Sequence, residues 1–170
     1  MQNTDFVSRL CPNCALCCNG VLFADVRLQA GDDASQLEEL GLPLRRRGAV
    51  TRFTQPCACL AGKTCRIYPD RPSRCRSFEC RLLQRAGAGE IREAAALKVI
   101  REARRRGADV RRILRELGDT DEAVSLSRRY QRMMRQPIDF AAGQRLCDLR
   151  GELMRAVGDL VGILERDFLG

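Results

Sequence analysis

The chain has 170 residues, a hydrophobic content of 45% and a charged content of 31%, a composition that fits one soluble globular domain and excludes a disordered chain. Aromatic residues make up 5% and tryptophan is absent, so we expect an aliphatic core carried mainly by helices. The net charge is +8 and histidine is absent. Without imidazole, a metal ion must be held by sulfur, with or without a carboxylate, and a His-dependent catalytic triad is excluded.

The sequence carries no signal for a membrane or for secretion. No run approaches the roughly 18 consecutive apolar residues that a spanning helix needs, and residues 1–10 lack the basic and apolar regions of a signal peptide. We therefore expect a cytoplasmic protein without a membrane partner, in a compartment that keeps thiols reduced.

The basic charge is carried almost entirely by arginine, because Lys63 and Lys98 are the only lysines among the 30 basic residues. Two interpretations are open: a surface for a phosphate-rich partner, or ordinary solvated helix faces. The arginines alternate with Glu and Asp, and few aromatic residues accompany them, which favours solvated faces. Nucleic acid is thus a partner that the sequence allows but does not favour, and no protein partner is indicated.

In chain order, the first predicted elements are short. Residues 1–10 form a lead-in to the first cysteines. Apolar spacing and turn residues predict a strand over 21–28, a helix over 34–41 and a second strand over 49–55. The two strands are expected to pair as a small β-hairpin, and the arginines at 45–47 fall in a loop between them.

From Pro72 onward the apolar spacing is helical. One helix is expected from Pro72 to Gly87, with Cys75 and Leu82 on one face. Cys147 lies in the last predicted helix, where the role of a small buried apolar residue is favoured over that of a ligand. Further helices are predicted over residues 90–106, 109–117, 120–135 and 143–168.

These elements predict a mainly α fold in two parts. Residues 1–87 form an irregular, cysteine-rich, metal-binding lobe with the small β-hairpin. Residues 88–170 form a helical lobe, a bundle of about four helices. We expect the first lobe to pack on the second, so that the two make one compact unit.

Cysteines are the chemical signal of this chain, and nine of the 10 lie in two blocks, residues 11–18 and 57–80. The first block reads C-x2-C-x2-C-C, and a two-residue gap aims two sulfurs at one metal. In a reducing compartment such density favours metal ligands over disulfides. The adjacent pair Cys17 and Cys18 points to opposite sides of a polynuclear site, or to two separate sites.

The second block is spaced too widely for a single knuckle, so its cysteines must reach the site from a loop and a helix. All-cysteine ligation suits Zn²⁺ and a [4Fe–4S] cluster equally well, and the sequence leaves the metal open. Nine candidate ligands are available: Cys11, Cys14, Cys17, Cys18, Cys57, Cys59, Cys65, Cys75 and Cys80.

The two blocks together resemble the YkgJ-type cysteine cluster family, whose members are described as zinc- or iron-chelating domains. The resemblance covers about residues 11–85, and Cys59 falls where the family pattern has an apolar residue, so it leaves the ligand set. Besides the cysteines, the match includes Gln55, Pro56, Leu60, Ile67, Tyr68, Arg71, Pro72, Arg76 and Phe78. The resemblance implies chelation by eight cysteines: Cys11, Cys14, Cys17, Cys18, Cys57, Cys65, Cys75 and Cys80.

Three functions follow from the sequence, in order of preference. The first is a metal-chelating protein of unassigned biological role, in which the metal nucleates folding of the first lobe. The second is an iron–sulfur enzyme of redox or group-transfer type, since flagellin lysine N-methylase, a methyltransferase, shares the cysteine signature; this is analogy. The third is a nucleic-acid-binding module that uses the Arg-rich helices around residues 104–112. Whether the chain is an enzyme at all stays open.

The residues around the second block have a simpler expected role. Tyr68, Arg71 and Pro72 are expected to shape a turn rather than to contact a substrate. Asp25 and Asp70 are weaker candidates for a carboxylate ligand or base. The sequence contains no Gly-rich phosphate loop and no nucleophile elbow, which argues against conventional hydrolysis.

Overall fold

The computed structural model describes residues 3–137 and 144–169 and is mainly helical, as predicted, with a small antiparallel sheet. The helices are α1 (Asn3–Cys14), α2 (Ala34–Glu39), α3 (Ser73–Ser77), α4 (Arg81–Gly87), α5 (Glu93–Glu116), α6 (Leu126–Arg135) and α7 (Gln144–Leu164), which continues into a π-helical turn, Glu165–Leu169. The strands are β1 (Asp25–Arg27), β2 (Arg45–Arg47), β3 (Val50–Thr54), β4 (Leu60–Ala61) and β5 (Thr64–Cys65).

The sheet has three strands rather than the two predicted. The expected antiparallel pairing of the first strand with residues 49–55 is confirmed, although β1 keeps only three residues. The loop predicted at 45–47 is wrong: β2 pairs with the other edge of β3, giving the order β1-β3-β2. Three consecutive arginines carry no apolar alternation, so no strand was predicted there. A second pair of strands, β4 and β5, was also not predicted.

Two apolar cores organise the described residues. The smaller core lies beneath the sheet and contains Leu37, Leu42, Phe53, Cys59 and Ile67. The larger core joins α1, α4, α5, α6 and α7 and also takes in residues of the cysteine-rich part of the chain. Those residues are Leu10, Leu16, Val21, Leu82 and Leu83.

Two helix predictions near the cysteines are wrong. Residues 3–10 of the predicted lead-in belong to a helix, α1, that continues to Cys14. The single helix expected over 72–87 is broken between α3 and α4, because Phe78 has extended dihedral angles and Cys80 is the N-cap residue of α4. The break separates Cys75 from Cys80, so the two sulfurs are carried by different elements.

The helix end predicted at Gly107 is also wrong, because α5 runs through it without interruption. Gly107 is buried and faces the cysteine-rich segment: a Cβ there would lie 3.3 Å from Val21 Cγ2. The glycine permits the close approach of two chain segments. In the sequence alone, a glycine with this role cannot be distinguished from one that ends a helix.

The last helices begin later than predicted or lie partly outside the described residues. α6 starts at Leu126 instead of 120, after a turn that Asp119 organises. Residue 143, the predicted start of the last helix, lies outside the described residues. On that helix Leu153, Leu160 and Leu164 are buried, whereas Cys147 is half-buried.

Asp119 is the centre of a buried ion-pair network before α6. Its carboxylate accepts hydrogen bonds from Arg129 Nε at 3.0 Å and Arg132 Nε at 3.0 Å. Arg129 is completely buried and also lies 3.0 Å from Glu122. Burial alone would raise the pKa of Asp119, but the hydrogen bonds from Arg132 and Arg129 and their charges outweigh it and lower that pKa.

We expect Asp119→Asn to destabilise the fold at pH 7 by roughly 3 kcal/mol, because it leaves the buried Arg129 without its main counter-charge. A carboxyl with a lowered pKa stabilises the fold above its unfolded pKa, and that contribution is lost as pH falls through the lowered value. Urea denaturation should therefore show a smaller loss between pH 7 and pH 3 in the variant than in the wild type. The control, Asp109→Asn, removes a surface pair with Arg105 and should cost less than about 0.5 kcal/mol.

Candidate metal centre

The first two cysteines lie on the last turn of α1. Cys11 and Cys14 are three residues apart and so share one helix face. The helix ends there because Ala15 adopts a left-handed conformation, with φ of 55°. The Ala15 carbonyl then accepts hydrogen bonds from Cys18 N at 3.0 Å and Asn19 N at 2.9 Å. This turn delivers Cys17 and Cys18 directly after the helix.

Helix α5 holds this turn in place through two arginines. Arg104 Nη1 donates to the Cys14 carbonyl at 2.7 Å, and Arg111 Nη2 donates to the Asn19 carbonyl at 2.8 Å. The two arginines are seven residues apart, which is two helical turns, so they project from the same face. The sequence did not reveal this clamp, because Gly107 between them appeared to end the helix.

Backbone contacts join the first cysteine block to the second and to α6. Cys57 N donates to the Cys18 carbonyl at 2.8 Å, and Leu126 N donates to the Gly20 carbonyl at 2.9 Å. Gly20 has φ of 77°, and a Cβ there would lie 3.0 Å from Pro56 Cδ and 3.1 Å from Ser125 Cα. Only glycine tolerates both the dihedral angle and the crowding. Three distant segments therefore meet at this residue.

The second block supplies its sulfurs from four different elements. Cys57 follows β3 after a cis Gln55–Pro56 peptide bond, and Cys65 lies on β5 opposite Leu60. Cys75 lies in α3, and Cys80 precedes α4. The sequence predicted delivery from a loop and a helix, and the structure adds the β4–β5 hairpin and a second helix.

Mutual electrostatic effects place four of the thiols in a first set. Desolvation raises the pKa of Cys11 to about 12 and that of Cys14 to about 12. The charges of Cys17 and Cys80 contribute to both increases, so these four thiols interact electrostatically. We call Cys11, Cys14, Cys17 and Cys80 the helix set.

The other four thiols form a second set. Desolvation raises the pKa of Cys57 to about 11 and that of Cys75 to about 12, and a charge on Cys65 raises both. A hydrogen bond with Cys17, then burial and the charges of Cys17, Cys57 and Cys75, raise the pKa of Cys18. We call Cys18, Cys57, Cys65 and Cys75 the hairpin set.

Cys17 and Cys18 lie where the two sets meet. Their sulfurs are 3.6 Å apart, and the hydrogen bond between them lowers the pKa of Cys17. Cys17 also raises the pKa of Cys75, so the sets are electrostatically connected. The adjacent pair therefore marks the junction between the two groups of thiols.

Cys59 is more deeply buried than the eight, although its thiol interacts with Cys57 and its charge contributes to the raised pKa of that thiol. It is completely buried in the small core with Phe53 and Ile67, and its sulfur lies 3.9 Å from the Leu40 carbonyl. Of the eight predicted ligands, Cys11 is exposed and the other seven are half-buried. Cys59 thus occupies the position of a small apolar residue.

Arg71 is the cation whose charge acts on thiols of both sets. Its charge lowers the pKa of Cys11, Cys17 and Cys75, thiols from both sets. Its guanidinium carbon lies 3.8 Å from the centroid of the Tyr68 ring. Arg76 donates from Nε to the Arg71 carbonyl at 2.7 Å and so supports that turn.

The donor set fits a soft or borderline metal ion, because it consists of reduced, mostly half-buried thiols with no disulfide among them. In residues 3–137 and 144–169, however, no group of three or more Cys, Asp or Glu side chains already has the geometry of a metal site. Asp25 is engaged by Arg52 and Arg128, both at 2.7 Å, and is not available as a ligand. The fold therefore brings the thiols into one region, and metal binding requires their sulfur atoms to move closer together.

The fold and the gathered thiols define a mainly α protein with a metal-chelating cysteine cluster. A family model described as "CxxCxxCC: Putative zinc- or iron-chelating domain" matches residues 10–100, more than half of the chain, and the chain belongs to this family. No curated protein and no solved structure matches. Among the described helices, none has the length and apolar composition that crossing a membrane requires.

Asp32 fixes the position of α3 and therefore of Cys75. Its carboxylate accepts hydrogen bonds from Ser73 N at 2.8 Å, Ser73 Oγ at 2.7 Å and Gln29 N at 2.7 Å. Burial alone would raise the pKa of Asp32, but these hydrogen bonds and the charge of Arg76 outweigh it and lower that pKa.

We expect Asp32→Ala to speed the alkylation of Cys75 by iodoacetamide in the metal-free protein by about tenfold, because a loss of one to two kcal/mol of anchoring promotes local opening of α3. Peptide mass spectrometry gives the rate at each cysteine. Cys11 and Cys14, which α1 carries, should keep their rates. The control is Asp70→Ala, an exposed carboxylate in the same region; equal rates at Cys75 in both variants would contradict the positioning role.

Proposed function

We propose that this protein is a chelator with two metal centres, one in the helix set and one in the hairpin set. The observation that supports the proposal is the division of the eight thiols into two groups of four, which meet at Cys17 and Cys18. Four thiolates complete the tetrahedral coordination of a zinc ion, and four also hold a [4Fe–4S] cluster.

A zinc centre with four protein ligands has a structural or storage role, because catalytic zinc sites keep one position open for water or substrate. The composition of both sets supports the same role. Neither set contains a carboxylate that would act as a general base, and the chain has no histidine. We therefore favour the function of a non-catalytic chelator over that of a redox or group-transfer enzyme.

The chain's own residues prepare the thiols for a cation. Burial and mutual repulsion keep Cys11, Cys14 and Cys75 protonated at neutral pH, so protons leave these sulfurs when a cation binds. Arg71 offsets part of the remaining negative charge. A bound metal ion would supply cross-links between the α1 turn and the 57–80 segment, where the small core alone holds the chain.

Metal analysis of matched double variants tests the two-centre proposal. We expect about two metal ions per chain in the wild type purified without oxygen, if the metal is zinc. Cys11→Ser with Cys80→Ser should remove the ion of the helix set, and Cys57→Ser with Cys65→Ser that of the hairpin set, each leaving about one ion. The control, Cys59→Ala with Cys147→Ala, should keep both.

Complete loss of metal from either double variant, with the fold retained by circular dichroism, would contradict two separate centres and indicate one shared polynuclear site. A brown wild-type protein with acid-labile sulfide would identify iron–sulfur clusters and support the enzyme alternative. A wild-type protein that takes up no metal would overturn the proposal.

We expect a chelator to unfold the cysteine-rich part first, because most of the buried apolar residues belong to the larger core. Hydrogen exchange followed by mass spectrometry should show the loss of protection in residues 11–80 while α5 and α7 stay protected. Uniform loss of protection along the chain, or no loss, would contradict a metal-dependent lobe.

A further inference from the structure

The outer face of the three-stranded sheet carries a row of arginines. Arg52 on β3 is paired with Arg27 on β1 and with Arg45 on β2. Residues directly opposite each other in an antiparallel sheet project their side chains to the same face. The three arginines therefore stand side by side across the sheet, over about 10 Å, and all three are exposed.

The opposite face of the same strands is used for packing. Phe53 is buried in the small core, and Val26, its partner on β1, packs against that core. The alternation of a β-strand places Arg52, next to Phe53, on the solvent side. Arg47, two residues after Arg45, lies on that side as well.

The arginine face is only weakly neutralised. Asp25 is the acidic side chain on it and accepts from Arg52 and from Arg128 of α6, both at 2.7 Å. Within the described residues, Arg27, Arg45 and Arg47 form no ion pair. Five arginines (residues 27, 45, 47, 52 and 128) against one aspartate leave a charge of +4 on this face.

Like charges directly opposite each other destabilise a sheet, so stability does not explain the row. The arginines of α5 differ in this respect, because they are engaged within the chain. Arg105 pairs with Glu102, Arg112 with Glu116 and Arg115 with Glu122. In the described part of the chain, the sheet therefore carries three arginines without a counter-charge, whereas these three arginines of α5 are each paired with a glutamate.

We propose that this face binds the phosphate backbone of nucleic acid. Guanidinium groups pair with phosphate in a planar, bidentate geometry, and a polyphosphate chain is complementary to a face on which Arg27, Arg45 and Arg47 have no counter-charge among the described residues. The face presents no aromatic ring on which a base could stack, so recognition is independent of base sequence. It also lacks the apolar centre of a protein–protein interface, which makes an acidic protein the less suitable partner.

Fluorescence anisotropy with labelled 20-residue single-stranded RNA, single-stranded DNA and a 20-base-pair DNA duplex tests this proposal on the full, metal-loaded chain. The test variant is Arg27→Gln/Arg45→Gln/Arg47→Gln. The control, Arg105→Gln/Arg112→Gln/Arg115→Gln, removes the same charge from α5. Metal content and circular dichroism confirm that each variant is folded.

We expect wild-type binding to weaken with salt, and the sheet variant to bind at least tenfold more weakly at 50 mM salt. Its slope of log K against log salt should be smaller in magnitude by about two, since each lost phosphate contact contributes about 0.7 to 0.9. The control should keep the wild-type slope. Comparison of the three probes shows which nucleic acid is preferred.

Three results would overturn the proposal. The first is absence of binding to all three probes at 50 mM salt. The second is an equal loss of affinity for nucleic acid in both triple variants, which would show that binding depends on the total positive charge of the protein and not on the sheet. The third is tighter binding to polyglutamate than to any nucleic acid, which would indicate an acidic protein partner.

A melting temperature of the sheet variant at or above that of the wild type supports the like-charge repulsion, and a large decrease contradicts it.

Discussion

Gathering eight thiols in one region is the constraint on which the rest of this structure depends. Each thiol loses solvent as it approaches the others, and each would repel its neighbours once ionised. The chain meets this constraint by placing the thiols on short, separately anchored elements instead of one loop. The last turn of α1, the turn after it, the segment after β3, β5, α3 and the start of α4 each bring one or two sulfurs.

The C-terminal helices hold the first cysteine block in position. Through Arg104 and Arg111, α5 binds the carbonyls on both sides of Cys17 and Cys18, and Gly107 lets Val21 pack closely against the same helix. The start of α6 closes on Gly20. The family signature ends near residue 100, but the helix that secures the first cysteine block runs to Glu116. The helical part is therefore a support for the cysteine centre as well as a core.

Arginine performs three different tasks in this histidine-free chain. Arg104 and Arg111 donate to backbone carbonyls, and Arg129 forms a buried ion pair with Asp119. Arg27, Arg45 and Arg47 of the sheet have no such partner within the described residues. One residue type thus serves as a clamp, as a buried ion and as an exposed charge, and only its neighbours distinguish these tasks.

The sequence by itself determined the mainly α class, the β1–β3 pairing and the gathering of cysteines as the centre of the molecule, because periodicity and cysteine spacing are local properties of the chain. Only the tertiary structure decided which thiols interact electrostatically, that Cys59 lies in an apolar core and that β2 completes the sheet. It also decided that Gly107 is a contact and not a helix end. These features depend on which distant residues become neighbours, and a single sequence contains no measure of that proximity.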